Sequence, residues 1–320
     1  MDFKGVLGHD RQKVMLSSLV GKEKLPHALL LSGPRGVGKR TIAVELVKNL
    51  FCEKQNACGA CKGCRLLARG THPDFTLMTG EASIKIDELR AIRKEVYEPP
   101  YEAPVRIILI DNAEVMTREA AHALLKTLEE PPPANVFILI TAREQEIPLT
   151  VRSRCMRIGF GPLSTDNVCS YFQTALSLDK AQAEVLASLS SGSIASGLFW
   201  MDEENFRMRE RIAQLVTGKK RGFAAVALVA ERIAAKGYEQ EYLSFLLVFL
   251  RDLWWLSQTQ DPSGLVNNDL REILEQMDSA QPGWAEASIA RVQESMRTLR
   301  YNVNRLLAME HLMIDVMRPL

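Results

Sequence analysis

Residues 29–41 read LLLSGPRGVGKRT. Apolar residues lead into Gly33, Gly36 and Gly38, and Lys39 follows at once. This is the pattern of a buried strand, a glycine-rich turn and the start of a helix. Its spacing matches the phosphate-binding loop G-x-x-x-x-G-K-[ST] up to the last position. Glycines let the backbone turn its N–H groups inward around a phosphate. The helix N-terminus adds a partial positive charge and the lysine a full one. The last position carries Arg40 where a hydroxyl would hold magnesium, and Thr41 comes one residue late. The stretch predicts an α/β nucleotide-binding fold whose catalytic site is damaged or retired.

A second stretch supports the first. Residues 105–111, VRIILID, form an apolar strand ending in an acid. A phosphate loop needs such a carboxylate nearby, and Asp111 would hold magnesium, usually through water. In hydrolysing sites the next residue is commonly a glutamate that activates water; here it is Asn112, which cannot take a proton. Residues 136–141, VFILIT, give another buried strand ending in Thr141. That hydroxyl either senses a terminal phosphate or satisfies the strand end, and the spacing fits both readings.

Between the glycine-rich stretch and residues 105–111 lie Cys52, Cys58, Cys61 and Cys64, spaced C-x5-C-x2-C-x2-C. Four thiols so close together can surround one ion, and thiolates suit tetrahedral zinc. Gly59 and Gly63 supply turns between ligands, and the segment has few large apolar residues to hold it otherwise. With no ligand position open, the zinc is expected to be structural. An iron–sulfur cluster is the alternative, although no Cys-Pro follows the run as in small ferredoxins.

The remaining elements follow from periodicity and punctuation. A first helix is expected over 10–22, with Val14, Leu16, Leu19 and Val20 on one face. Helices are expected over 41–51, 86–97 and 117–130, the last capped by Thr117 and stopped by three prolines, and a short strand over 74–78. Residues 151–158 carry Arg152, Arg154 and Arg157 and read as a basic loop. Helices over 163–176 and 179–189 make a small helical unit. Beyond it nearly everything reads as helix: 205–217, 222–236, 239–258, 268–278 and 284–317, with breaks at Gly218, Gly237, 262–264 and 282–283. This tail offers no metal cluster and no nucleophile–base pair, so it is expected to pack against its own chain or against neighbours.

Composition sets limits. A length of 320 residues allows about two or three domains. The net charge of +1 gives no bulk argument for a nucleic-acid or membrane partner, so any basic surface must be local. The first residues, MDFKGVLGHD, lack the apolar core of a secretory signal. The most apolar run, 243–256, is broken by Arg251 and Asp252 and is too short to span a bilayer; it reads as a buried helix. A cytoplasmic protein is expected, with cysteines reduced or metal-bound.

Several of these stretches occur in a familiar order. LLLSGPRGVGK, the four-cysteine insert, HPDF (72–75), ILIDNAE (108–114), ALLKTLEEPP (123–132), FILIT (137–141) and RSRC (152–155) together resemble the AAA+ clamp-loader subunits of bacterial DNA polymerase III. The short length and altered site resemble the delta-prime type rather than the gamma/tau motor type. The stretch 302–310 resembles the last helix of that family, so the resemblance spans essentially the whole chain.

The resemblance implies an AAA+ domain at 1–162 with a five-stranded parallel sheet and the zinc insert at 52–64. It further implies a helical lid at 163–204 and an all-α collar at 205–320 that joins five subunits in a ring. It implies that Arg154 reaches a neighbour's ATP, offsetting charge on the transferring phosphoryl group. The degenerate nucleotide site would comprise Gly33, Gly36, Gly38, Lys39, Thr41, Asp111 and Thr141, with ATP or ADP weakly bound or absent. Active relatives usually place an arginine after the lid's Gly-Ser turn, and residues 192–197 carry none. The expected role is a non-hydrolysing subunit of the DNA-directed DNA polymerase holoenzyme, a nucleotidyltransferase assembly. Its partners would be gamma/tau and delta, with the sliding clamp and primed DNA reached through the complex. Two alternatives stand beside it: an ATP-hydrolysing motor of the gamma/tau type, and a zinc-dependent nucleic-acid binder using Lys54, Lys62 and Arg65.

Overall fold

The computed structural model describes residues 1–22, 24–80, 83–218, 222–235, 238–276, 283–299, 301 and 303–317. The sequence expectations at Lys236, Gly237, Met277, Asp278, Pro282, Arg300 and Asn302 lie outside these. The chain divides into two compact units, Met1–Asn167 with Gly192–Ile194, and Val168–Ser191 with Ala195–Leu320.

The first unit begins with α1 (Asp10–Gly21), β1 (Ala28–Ser32), α2 (Lys39–Phe51), α3 (Lys62–Ala68), β2 (Phe75–Thr79) and α4 (Ile86–Glu95). It continues with β3 (Arg106–Asp111), α5 (Arg118–Glu129), β4 (Asn135–Thr141), α6 (Leu149–Arg152) and β5 (Met156–Gly159). The five strands are all parallel, in the order β2-β3-β4-β1-β5. Parallel neighbours need crossovers, which the helices supply. The chain leaves β1 for the far edge and returns through β3 and β4, so β4 lies between β1 and β3. Ser32 thereby pairs with Thr141, and Ile110 with Leu139. The carboxyl ends of β1, β3 and β4 finish along one edge, where ligands bind in open α/β sheets.

The strand alternation builds a core on each face. Leu30, Ile108, Ile110, Phe137 and Leu139 cluster with Leu89 and Ile92 of α4 and Leu124 and Leu128 of α5. Leu29, Leu31, Ile107, Leu109, Ile138 and Ile140 cluster with Leu16 of α1 and Ile42, Leu46 and Val47 of α2. Two buried faces explain why these strands read as continuous apolar runs.

The HPDF stretch is an anchor. Asp74, fully buried, accepts backbone N–H groups from Tyr101, Glu102 and Ala103 at 2.8, 2.7 and 2.9 Å. Arg106, 3.8 Å from it, donates to the carbonyls of Glu95, Glu98 and Pro99. The proline-rich loop is thus held from both ends by a buried ion pair. His72 stacks on Phe51 at 4.2 Å, fastening the start of β2 to the end of α2.

The remaining helices are α7 (Thr165–Leu176), α8 (Lys180–Leu189), α9 (Ile194–Trp200), α10 (Glu203–Val216), α11 (Phe223–Ala234), α12 (Glu239–Thr259), α13 (Arg271–Leu274), α14 (Trp284–Thr298) and α15 (Arg305–Met317). In the second unit Trp200 meets Tyr242 and Phe245 edge-on, at 5.6 and 5.9 Å. Asn205 Oδ1 accepts from Arg232 and from the Tyr242 hydroxyl at 2.6 and 2.9 Å. Arg209 is buried against Asp269 and the ring of Phe206. The apolar run at 243–256 lies within α12, where Asp252 is also buried and takes the N–H groups of Val266 and Asn267. Among the described residues no helix is long and apolar enough to cross a membrane.

Four sequence expectations are corrected. Val14 is 69% exposed, because at 100° per residue it lies on the side of α1 opposite the buried Leu16. The basic loop expected at 151–158 contains the short helix α6 and the edge strand β5, whose four residues are too few to carry a pattern. The helix expected over 284–317 is two, and Asn304 starts the second by accepting the Leu307 N–H at 3.2 Å. Over 268–278 only the turn Asn268–Leu270 and the single helical turn α13 form among the described residues.

Candidate nucleotide site and cysteine cluster

The loop after β1 has the backbone its glycines predict. Gly33, Gly36 and Gly38 have φ of 152°, 74° and 101°. At Gly33 a Cβ would lie 2.2 Å from the Phe160 carbonyl oxygen, so only glycine fits against the chain leaving β5. The loop is tied at three further points. Gly33 N–H donates to Thr141 O at 3.2 Å, and Gly36 O accepts the Ile194 N–H at 3.1 Å. His9 Nε2 donates to Val37 O at 2.7 Å, which fixes its proton on Nε2, and its ring meets Phe160 edge-on.

Lys39 starts α2, is buried, and turns its ammonium back onto Gly33 O and Pro34 O, each at 2.6 Å. Burial pulls its pKa down to about 8; Glu114 and Asp111 pull the other way, and Arg35 adds to the lowering. Arg40 does more than omit a hydroxyl. Its Nη1 lies 3.3 Å from Asp111 Oδ2, bringing together residues 71 positions apart. Asp111 Oδ1 accepts the Asn112 N–H at 3.0 Å. Thr41, one position on, is exposed on α2. Asn112 adopts the left-handed conformation that asparagine tolerates, and its amide donates to Gly80 O at 3.1 Å. Thr141 is fully buried and its hydroxyl accepts the Arg143 N–H at 3.0 Å, so it satisfies the end of its own strand.

The fold therefore brings Gly33, Gly36, Gly38, Lys39, Asp111 and Thr141 to one edge of the sheet. Two residues of this site escape a sequence reading. His9 precedes α1 and gives no local signal. Glu114 carries the largest charge effect on Lys39; its Oε1 accepts the Ala142 N–H at 3.3 Å and its Oε2 is buried without a hydrogen bond. Only the pairing of β3 with β4 places it there.

Arg154 follows α6 on a turn closed by its N–H to Val151 O at 3.1 Å. Its side chain is 35% exposed; it donates to Thr150 O at 2.9 Å and pairs with Glu129 at 2.7 Å. Arg152 and Arg157 both pair with Glu144. Ser153 closes the turn through Thr150 O, while Cys155 packs beneath it, where burial pushes its thiol up to about 11.

The cysteines form a second site. The four sulfurs of Cys52, Cys58, Cys61 and Cys64 lie within 4.8 Å of one another. Tetrahedral zinc with Zn–S bonds of about 2.3 Å needs sulfurs roughly 3.8 Å apart, so the set fits a single ion. A multi-iron cluster places irons and sulfides between its ligands and requires wider spacing. Gln55 and Ala57 are held at φ of 51°, a strained conformation for a residue with a Cβ, in a loop with little apolar packing. Cys58 N–H points at Cys52 Sγ at 3.4 Å. Burial would raise the Cys52 thiol, but the N–H groups of Cys58, Asn56 and Lys54 outweigh it and hold the group at about 6. Burial pushes Cys64 up to about 12, so this thiol needs an ion to displace its proton.

A phosphate loop after β1, an acid ending β3, a hydroxyl ending β4 between them, and helical elements after β5 define a P-loop fold of the AAA+ class. A family model described as DNA polymerase III, delta subunit, matches residues 8–164. The DNA polymerase III subunit delta' of Pseudomonas aeruginosa is 31% identical, over 95% of this chain and 95% of that protein. The delta' subunit of Bacillus subtilis is 28% identical over 94% and 93%. The DNA polymerase III subunit gamma of Buchnera aphidicola subsp. Schizaphis graminum is 30% identical over 73% and 69%. The chain belongs to the DNA polymerase III delta-prime subunit family.

Proposed function

We propose that this chain is a non-hydrolysing subunit of the DNA polymerase III clamp loader, lending Arg154 to the ATP site of a neighbouring subunit. One observation carries the reading. Arg154 stands partly exposed on a fixed turn, while the chain's own phosphate loop has an arginine beside the acid that should hold metal. A guanidinium needs no site of its own to act: it offsets charge on a phosphoryl group presented by another chain. In this reading residues 163–204 act as the lid and 205–320 as the collar. The partners are gamma/tau and delta in a heteropentamer, acting on the sliding clamp and primed DNA in the cytoplasm. The cysteine cluster holds structural zinc.

The alternative is an ATP-hydrolysing motor of the gamma/tau type, and the similarity to a gamma subunit speaks for it. Against it stand Arg40 at the magnesium position and Asn112, which cannot accept the proton of an attacking water. The test is the DNA-stimulated ATPase of the reconstituted loader. Arg154→Ala is expected to lower it by about 10³-fold per neighbouring site while assembly, followed by gel filtration, is unchanged. An unchanged rate would sink the trans-acting role.

A further inference from the structure

A phosphate loop that works with magnesium surrounds the ion with a hydroxyl, a carboxylate acting through water, and phosphate oxygens. Magnesium demands near-octahedral oxygen ligands and tolerates little else. In this chain the hydroxyl position is Arg40, and its guanidinium lies against the carboxylate itself, Nη1 to Asp111 Oδ2 at 3.3 Å. The second oxygen of Asp111 is taken by the Asn112 N–H at 3.0 Å. An entering dication would have to displace a guanidinium from the carboxylate that should receive it, and would then lie beside that positive charge. The residues do not fit magnesium.

They do fit an anion. Arg35, Lys39 and Arg40 outnumber the two carboxylates, Asp111 and Glu114, that share their neighbourhood. The Arg40 side chain is half exposed, so it can turn from Asp111 to a ligand. Its planar fork pairs two donors with two phosphate oxygens, which a point charge cannot do. The glycine loop is in place, and the Lys39 ammonium rests on its carbonyls, Gly33 O and Pro34 O, from which it would turn to a phosphate.

Resting on the reading of residues 29–41 as a nucleotide site, we propose that this loop takes a nucleoside di- or triphosphate without a divalent cation, Arg40 replacing the metal. Arg40 thus converts a catalytic site into a metal-independent binding site. Phosphoryl transfer loses the ion that bridges its oxygens, while affinity for the phosphates is kept.

The test is calorimetric titration of the full chain with ADP and with ATP, in EDTA and in excess magnesium. Wild type is expected to bind equally under both conditions, within about threefold. Arg40→Thr, which restores the hydroxyl and frees Asp111, should become metal-dependent, binding about tenfold more tightly with magnesium. Lys39→Ala should lose binding in both. Wild-type binding that requires magnesium overturns the proposal but leaves the nucleotide site standing. No binding by wild type at millimolar ligand under either condition overturns both. Neither of these wild-type results depends on a variant folding, and neither touches Arg154, whose role is read from the loader's ATPase.

Discussion

Removing the charge at Glu129 should release Arg154 and raise the ATPase of the assembled loader, but only slightly. The two groups meet at 2.7 Å, yet their side chains are 47% and 35% exposed. Solvent therefore screens the pair, and its contribution is about 0.2–1 kcal/mol. If Arg154 must leave Glu129 to reach a neighbour's phosphates, Glu129→Gln removes that competing state. The rate then rises by a factor between about 1.4 and 5. Glutamine preserves the shape of the site, and Arg154 keeps its bond to Thr150 O. The assay is steady-state ATP hydrolysis by the reconstituted loader with primed DNA and clamp, at low and high salt, because the gain should shrink as salt screens the pair. The double variant Glu129→Gln/Arg154→Ala should match Arg154→Ala alone. Either of two results refutes the reasoning: a gain that persists without Arg154, or a loss as deep as that of Arg154→Ala.

Two further predictions concern the parts that hold the site in shape. Asp74→Ala leaves the buried Arg106 charge without its carboxylate and three backbone N–H groups without their acceptor, and should cost about 3–5 kcal/mol in urea unfolding. Burial works to raise the Asp74 carboxyl, but the N–H groups of Ala103, Glu102 and Tyr101 hold it below the usual carboxylate range. A depressed folded-state value stabilises fully above the unfolded value of about 3.9 and fades as pH falls through the folded one. The difference between wild type and variant should therefore be constant from pH 7 to 5 and narrow only in stronger acid; a gap that is constant down to pH 2 would contradict the assignment. The purified chain should carry about one zinc per molecule by elemental analysis. Cys64→Ser should lose it and melt at a lower temperature, and chelation should do the same to wild type. Full thermal stability after complete metal removal would show that the cluster is not structural.

The local devices are all legible in the chain. The glycines and lysine of the loop, the Thr117 cap, the proline stop after α5 and the cysteine spacing act between residues a few positions apart, so their order alone encodes them. The core strands are legible for a related reason: burial on both faces writes unbroken apolar runs at 107–110 and 136–140. The boundaries of the tail are harder, because helix periodicity continues across the break before Asn304 and the cap that restarts the helix is one polar side chain. At Val14 the sequence shows the apolar character but not the face, which a two-residue step around a helix decides.

The charge pairings belong to the tertiary structure. The sequence says that Arg40 is not a hydroxyl; it does not say that the arginine lies against Asp111, since that follows from crossovers that align the ends of β1 and β3 on either side of β4. Glu114 comes near Lys39 by the same route, and Glu129 meets Arg154 through the packing of α5 against α6. Short-range patterns carry their own geometry, because a few bonds limit where the groups can go. A charge acts across space, and its partner is fixed only when the strands between them have found their order.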